Sequence, residues 1–458
     1  MSMPSSTIWH AHPDARLEEA IATANIHGLT ALLRHPRVAA DRYARLRVLD
    51  RLHGLQPNDL SILADWVQEM LLSNRPGPVW AIAREWPYED DGDPALILIA
   101  AQIAQVMGES DEARIRYRQL IEQPYAMVDA WQKYLDFEDP SRLGASDIAR
   151  VETLYQRATD PYVREKAAFA LAGHLSRQSP GHAFSLASEA HRLKRQRLGG
   201  WGSEGSARRL EADRKWQPQA PTNGPAPRPV FVVGLPRSGT TLLTRILGSH
   251  TNISGLGEQN LIPNLAGTAC RDPGNIDSRL PAFAQAWYRS AVGDLVDGAR
   301  VMVDKLPANV EFIGLILSMF PDALVVYIER ELGDCAISIH LRDFEFGCLY
   351  GDDATDLATY AHQIRGHARH WIEAAPERVL ALQYEELVKD PRAALGPILT
   401  ATGLTWETGM LEFWRQREQI ATFSEGQVRH PLHENSIGNW RRFLPEAGEY
   451  LRILGIAT

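Results

Sequence analysis

Cysteine is nearly absent. The chain of 458 residues has three, Cys270, Cys335 and Cys348. An odd, widely spaced set excludes a disulfide framework and fits no zinc-ligand spacing. These residues read as inert thiols in a reducing compartment, which predicts a cytoplasmic location. Basic excess is lacking too: 57 acidic against 48 basic residues give a formal charge of −9. Such a chain has no general attraction for nucleic acid or for an anionic membrane, so any anion site must be built locally. No apolar run approaches the roughly 20 residues that cross a bilayer. The opening MSMPSSTIWHAHPDARLEEA has no basic flank followed by an apolar stretch, so it does not read as a secretory leader. What is present, 45% hydrophobic and 23% charged residues, is the composition of an ordinary globular chain. The length suits two or three domains rather than one.

Residues 1–200 carry helix periodicity and no convincing strand. The run DPALILIAAQIAQVMGESDEARIRYRQLIEQP (Asp93–Pro124) reads as helix, turn, helix. Gly108 can end the first helix in a left-handed conformation, Ser110 can cap the second, and Pro124 stops the unit. Ala113, Tyr117 and Leu120 recur at one-turn spacing, and Ala183, Ala187 and Ala190 form a similar stripe. Starts near 57, 94 and 161 fit a period of 34–37 residues with an irregular unit between them. The pattern resembles degenerate tetratricopeptide repeats, with a plain helical bundle as the alternative. Residues 201–228 are rich in Gly, Pro, Ser and Asn and read as a linker. The basic residues around it, Lys194, Arg195, Arg197, Arg208 and Arg209, read as a solvated helix face.

Residues 229–458 change texture. PVFVV, LVVYIE (Leu324–Glu329) and VLALQY (Val379–Tyr384) are continuous apolar runs, as in strands buried on both faces of a parallel sheet. Helical stretches separate them. The expected architecture is a helical repeat domain followed by a three-layer α/β domain around a parallel sheet.

The first apolar run leads into Gly234-Leu-Pro-Arg-Ser-Gly239-Thr240-Thr241 and then a helical stretch. The glycines fit a nucleotide phosphate loop, but Thr240 stands where that loop has lysine. Without the lysine, the loop suits an anion less charged than a magnesium-bound triphosphate, such as a phosphosulfate. Backbone N–H groups, hydroxyls and the helix N-terminus can cradle it without metal. Arg237 adds a fork of donors able to bridge phosphate and sulfate oxygens.

PRSGTTLL, and much of Pro229 to Phe443, resembles the sulfotransferases that use 3′-phosphoadenosine 5′-phosphosulfate (PAPS). The likeness is strongest to the tyrosylprotein sulfotransferases and to bacterial sulfotransferases with N-terminal tetratricopeptide repeats. It implies a P-loop-like sulfotransferase fold, PAPS as co-substrate and the 3′,5′-bisphosphate PAP as product, with no metal. Ser238, Gly239, Thr240 and Thr241 then join Arg237 in holding the phosphosulfate. In VVYIERELGDCAISIHLRDF, Arg330 and Ser338 match the residues that hold the 3′-phosphate, and Arg342 assists. The family has Asp-Pro after this arginine; here Glu331-Leu332 takes its place. Tyr384, in VLALQYEELVKDP, matches a nucleotide contact. Ser436, Gly438, Trp440 and Arg441 match a segment that covers the nucleotide.

An acceptor hydroxyl must lose a proton as it attacks sulfur, which calls for a general base. Glu258, in HTNISGLGEQNLIP, matches the family's base, and Lys305, in VDKLPANVEF, matches the lysine that offsets charge on the transferring group. Arg237 shares that role. Pro307 and Asn309 also fit the bacterial pattern. The structural alternatives are that Arg330 and Arg342 pair with nearby carboxylates, Tyr384 packs in the core, Glu258 caps a helix and Lys305 lies on the surface. His250, His340, His430 and His433 have no metal spacing. The rival classes are a P-loop NTPase or kinase, against which Thr240 stands, and a non-catalytic repeat scaffold. The expected partner is a hydroxyl-bearing acceptor, a protein or peptide tyrosine reached through the repeats, with small molecules and glycans as alternatives. A homodimer is compatible with this scheme.

Overall fold

A computed structural model describes residues 12–86, 93–123, 127–222, 224–268, 279–296, 298–344, 347–415 and 431–457. Pro124, Cys270 and His430 lie outside the described residues.

The described residues of the first half form helices between Ala15 and Leu198. Caps set the starts: Asp93 accepts from Ala95 N ahead of Pro94, and Asp160 accepts from Tyr162 N ahead of Pro161. Gly108 ends one helix at φ +79°. Ser110 is the first helical residue rather than the cap; Glu109 holds the cap position. Helices starting at Pro94, Val128 and Pro161 stand 34 and 33 residues apart, each followed by a second helix. The stack is therefore more even than the sequence periodicity suggests. The alanines allow close crossing, since Ala113, Ala183, Ala187 and Ala190 are all fully buried.

The expected linker contains a helix, Ser203–Asp213. Its good helix formers, SARRLEAD, outweigh the flanking glycines and prolines. Asp213 accepts from Gly314 N at 2.7 Å and Leu315 N at 2.9 Å, capping the helix Ile313–Met319. This segment is thus part of the second domain's packing. Of the basic residues beside it, Arg197, Arg208 and Arg209 are exposed, as on a solvated face, and Lys194 departs from it. Lys194 is fully buried and pairs with Asp352 at 3.0 Å, and Arg197 pairs with Glu165 at 2.6 Å.

Among the described residues, five parallel strands form one sheet: β1 (Arg228–Gly234), β2 (Ile253–Gly257), β3 (Val301–Lys305), β4 (Leu324–Glu329) and β5 (Val379–Gln383), in the order β2-β3-β1-β4-β5. Val230 and Val232 face a core shared with the helices Thr240–Gly248 and Pro391–Thr402. Phe231 and Val233 face the opposite core with Trp287, Tyr288 and Ile313. Burying each such side chain contributes about 1.5–3 kcal/mol. The chain leaves β1 towards β2 on one side and leaves β4 towards β5 on the other. The carboxyl ends of the adjacent strands β1 and β4 therefore bound the crevice where an open α/β sheet takes its ligand.

Candidate active site

The sequence-predicted residues converge on that edge. The phosphate loop follows β1, Glu258 follows β2, Lys305 ends β3, Arg330 follows β4 and Tyr384 follows β5. All except Lys305 and the loop's Ser238 line one cavity of about 1360 Å³, joined by Ser338, Arg342 and Ser436.

The loop is built for an anion. Arg237 takes φ +69° and Gly239 φ +104°, so successive N–H groups turn inward as in an anion nest. Arg237 is a non-glycine residue in the left-handed region, a strain found mainly at functional sites. The helix Thr240–Gly248 starts at this point, presenting its leading N–H groups and positive end. A Cβ at Gly239 would run into the Tyr384 ring, so only glycine lets the loop lie this close to the tyrosine. Ser238 Oγ is buried, and no described residue hydrogen-bonds to it.

Cations crowd the same place. Arg237 Nε donates to Ser338 Oγ at 2.8 Å. Burial, and then the charges of Arg342 and Arg330, push the Arg237 guanidinium down to about 9. It remains cationic at neutral pH, and a bound anion would relieve that pressure. Arg330 donates to Arg237 O at 3.1 Å and to Ser436 O at 2.5 Å, and lies 4.4 Å above the Tyr384 ring. Arg330 Nε is buried with no partner among the described residues. An anionic ligand with two charged ends fits this donor set: a buried orphan hydroxyl, a buried orphan guanidinium nitrogen and a glycine cradle.

Glu258 and Lys305 sit on adjoining strand ends, where Gly257 pairs with Asp304. Lys305 Nζ donates to Glu258 Oε1. Lys305 is only 1% exposed, so it is no surface lysine, while Glu258 is 39% exposed and faces the cavity. The helix beyond Glu258 begins at Leu261. Behind the pair, Tyr288 Oη donates to Asp304 Oδ2 at 2.8 Å, and burial pushes the Asp304 carboxyl up to about 7. Asn309 is also fully buried with both amide atoms unpaired among the described residues.

Two assignments change. Arg441 does not line the cavity: its guanidinium lies 4.4 Å from the Trp440 ring and 3.6 Å from Glu331. Arg442 lines it instead and donates to Arg177 O at 2.7 Å. Arg342 pairs with Asp136 of the helical half at 2.9 Å and Arg330 with Asp334 at 3.7 Å, so the carboxylate alternative holds for both in part. Glu331, which departs from the family pattern, has a role of its own. It accepts from Trp440 Nε1 at 2.7 Å, while Asp334 accepts from Gly438 N and Trp440 N at 2.7 and 3.0 Å. Together they hold the covering segment on the loop beyond β4. Tyr384 is mostly buried yet still lines the cavity. His250 bonds to Thr405 O at 3.0 Å, a structural contact. Burial pushes the Cys335 and Cys348 thiols up to about 12.

Sequence reading missed the far wall of the cavity. Gln105, Lys133, Asp136, His174 and Arg177 of the helical half line it. They come from three separate helical segments, and no local motif marks them.

Residues 229–408 match the model of the sulfotransferase family. That stretch of the chain is similar to the family. An uncharacterized protein of Aquifex aeolicus is 34% identical to this chain over 236 residues, 48% of this chain and 31% of that protein. Protein-tyrosine sulfotransferase 2 of Gallus gallus is 24% identical over 246 residues, 47% of this chain and 64% of that one. The chain thus spans about a third to two thirds of the length of these relatives. The sulfotransferase domain of the Synechococcus PCC 7002 olefin synthase aligns over 52% of this chain and 97% of that domain. Its identity is 18% and its TM-score 0.37.

Proposed function

We propose that the protein transfers the sulfuryl group of PAPS to an acceptor hydroxyl, yielding a sulfate ester, PAP and a proton. The carrying observation is the meeting of a glycine-cradled anion loop, crowded arginines and the Glu258–Lys305 pair at one sheet edge. When bound, PAPS supplies the activated S–O bond. Arg237, Ser238 and the N–H groups at Gly239–Thr241 hold the phosphosulfate. Arg330, Ser338 and Arg342 hold the 3′-phosphate, which separates PAPS from ATP. Tyr384 and the covering segment from Ser436 shield the nucleotide from water.

Glu258 faces the cavity and takes the proton from the acceptor hydroxyl. Lys305 and Arg237 offset charge that grows on the bridging oxygen as the S–O bond breaks. This is direct in-line transfer, with no covalent enzyme intermediate and no metal.

A cavity of about 1360 Å³ exceeds the usual 300–1000 Å³ of a small-ligand site, leaving room for a bulky acceptor beside the nucleotide. The helical wall supports a protein or peptide acceptor, in line with tetratricopeptide-type stacking. Relatives called protein-tyrosine sulfotransferases, among them those of Gallus gallus and Danio rerio, support a tyrosyl hydroxyl. The test is transfer of label from PAPS to tyrosyl peptides, simple phenols and glycans. Labelled peptide supports the full reading, and label only on phenol or glycan replaces the acceptor. No transfer to any acceptor class, with PAPS bound, contradicts the enzyme.

A further inference from the structure

The helical half grips five consecutive residues just beyond Ser338. His340 Nε2 lies 3.0 Å from Ser188 Oγ, and its ring stacks on Phe184. Leu341 packs against the core of the helical half. Arg342 Nη1 donates to Asp136 Oδ1 at 2.9 Å. Asp343 accepts from Lys166 Nζ at 2.5 Å and from Gln132 Nε2 at 3.3 Å. Phe344 O accepts from Lys194 Nζ at 2.5 Å. Lys166 and Lys194 are fully buried. Burial alone would push the Asp343 carboxyl up, but Lys166 and Lys194 hold it below its usual value. A buried ionic set like this tolerates little displacement, because moving one member strands another's charge. The backbone that carries Arg342 is therefore fixed from the helical side. At the other end of the site, Asn74 Nδ2 donates to Leu256 O at 2.9 Å, two residues before Glu258.

Within this grip, Asp136 acts on the side chain. Arg342 is only 27% exposed, and its charge presses on Arg237, which bonds to Ser338. We infer that Asp136 is a positioning residue of the donor site: it holds the Arg342 guanidinium where a 3′-phosphate would meet it. The helical half is then a component of donor binding as well as a wall of the cavity. This rests on the PAPS reading above. Removing the Asp136 carboxylate has two opposed effects. It leaves the pocket more positive, which favours an anion, but the pair is partly exposed and that effect is screened. It also frees a long side chain to wander, and recovering that order on binding costs more.

The experiment is calorimetry on the full chain with PAP and with AMP, which lacks the 3′-phosphate. Asp136→Asn should weaken PAP about five- to tenfold, the cost of ordering one freed arginine side chain on binding, and leave AMP unchanged. Asp136→Glu should recover most of the loss. Unchanged or tighter PAP binding by Asp136→Asn would overturn the inference, as would equal weakening of PAP and AMP, which signals general loosening. A wild-type chain that binds AMP as tightly as PAP would overturn the donor reading itself and the inference with it.

Discussion

Lys305 Nζ donates to Glu258 Oε1 across the ends of two neighbouring strands, so that the ammonium is buried while the carboxylate faces the cavity. Lys305 does not itself line the cavity and pairs with Glu258, which does, so the two should behave as a unit. Glu258→Ala should lower kcat by about 10²- to 10⁴-fold with PAP affinity within about twofold, as expected for loss of a general base. A large loss of PAP affinity instead would make Glu258 structural.

The same pair predicts a stability effect. Glu258→Ala leaves a buried ammonium without its carboxylate and should cost about 1–3 kcal/mol in denaturant unfolding. Glu258→Ala combined with Lys305→Met should recover much of that cost, because the stranded charge is gone. An additive double variant would show that the pair is not coupled.

Arg330 bonds to the phosphate loop and to the covering segment and stacks over Tyr384. Arg330→Ala should weaken PAP by roughly 10- to 100-fold, the range for a charge-assisted contact. Adenosine 5′-phosphosulfate, which has no 3′-phosphate, should lose far less. Comparable losses for both ligands would place Arg330 outside the 3′-phosphate site.

Gly239 combines φ +104° with the Tyr384 ring where a Cβ would go. Gly239→Ala should cost upwards of about 1–2 kcal/mol from the left-handed backbone alone, and should abolish measurable PAP binding. Retained binding at wild-type affinity would mean that the loop does not form the cradle.

Much of this site was legible in the sequence, and the parts that were not share a cause. The phosphate loop, β1, β4, β5 and the residues after them are continuous local patterns. β2 and β3 escaped notice because ISGLG is short and glycine-rich, and VMVDK ends in two charges that only tertiary pairing can bury. The helix Ser203–Asp213 was hidden by its flanks. Asp136, Lys166 and Trp440 act through partners more than a hundred residues away in the chain, a distance at which periodicity carries no signal. Arg441 and Arg442 are adjacent, and only the fold decides which faces the cavity.

Asp304 gives a pH signature. Burial pushes its carboxyl up to about 7, so the folded chain keeps a proton that the unfolded chain releases. Its contribution to stability is complete below the unfolded value near 4 and is lost as pH rises from there through about 7. Asp304→Asn, which can still accept from Tyr288 Oη, should flatten the unfolding free energy across that window. An unchanged pH profile would assign the slope to other groups.

The most direct test of the central claim is calorimetric titration of the wild-type chain with PAP and with magnesium-ATP. A sulfotransferase loop with Thr240 in place of lysine and a separate 3′-phosphate site predicts tight PAP binding and ATP weaker by at least about 100-fold, the worth of one or two charge-assisted contacts. ATP binding as tight as PAP would contradict it.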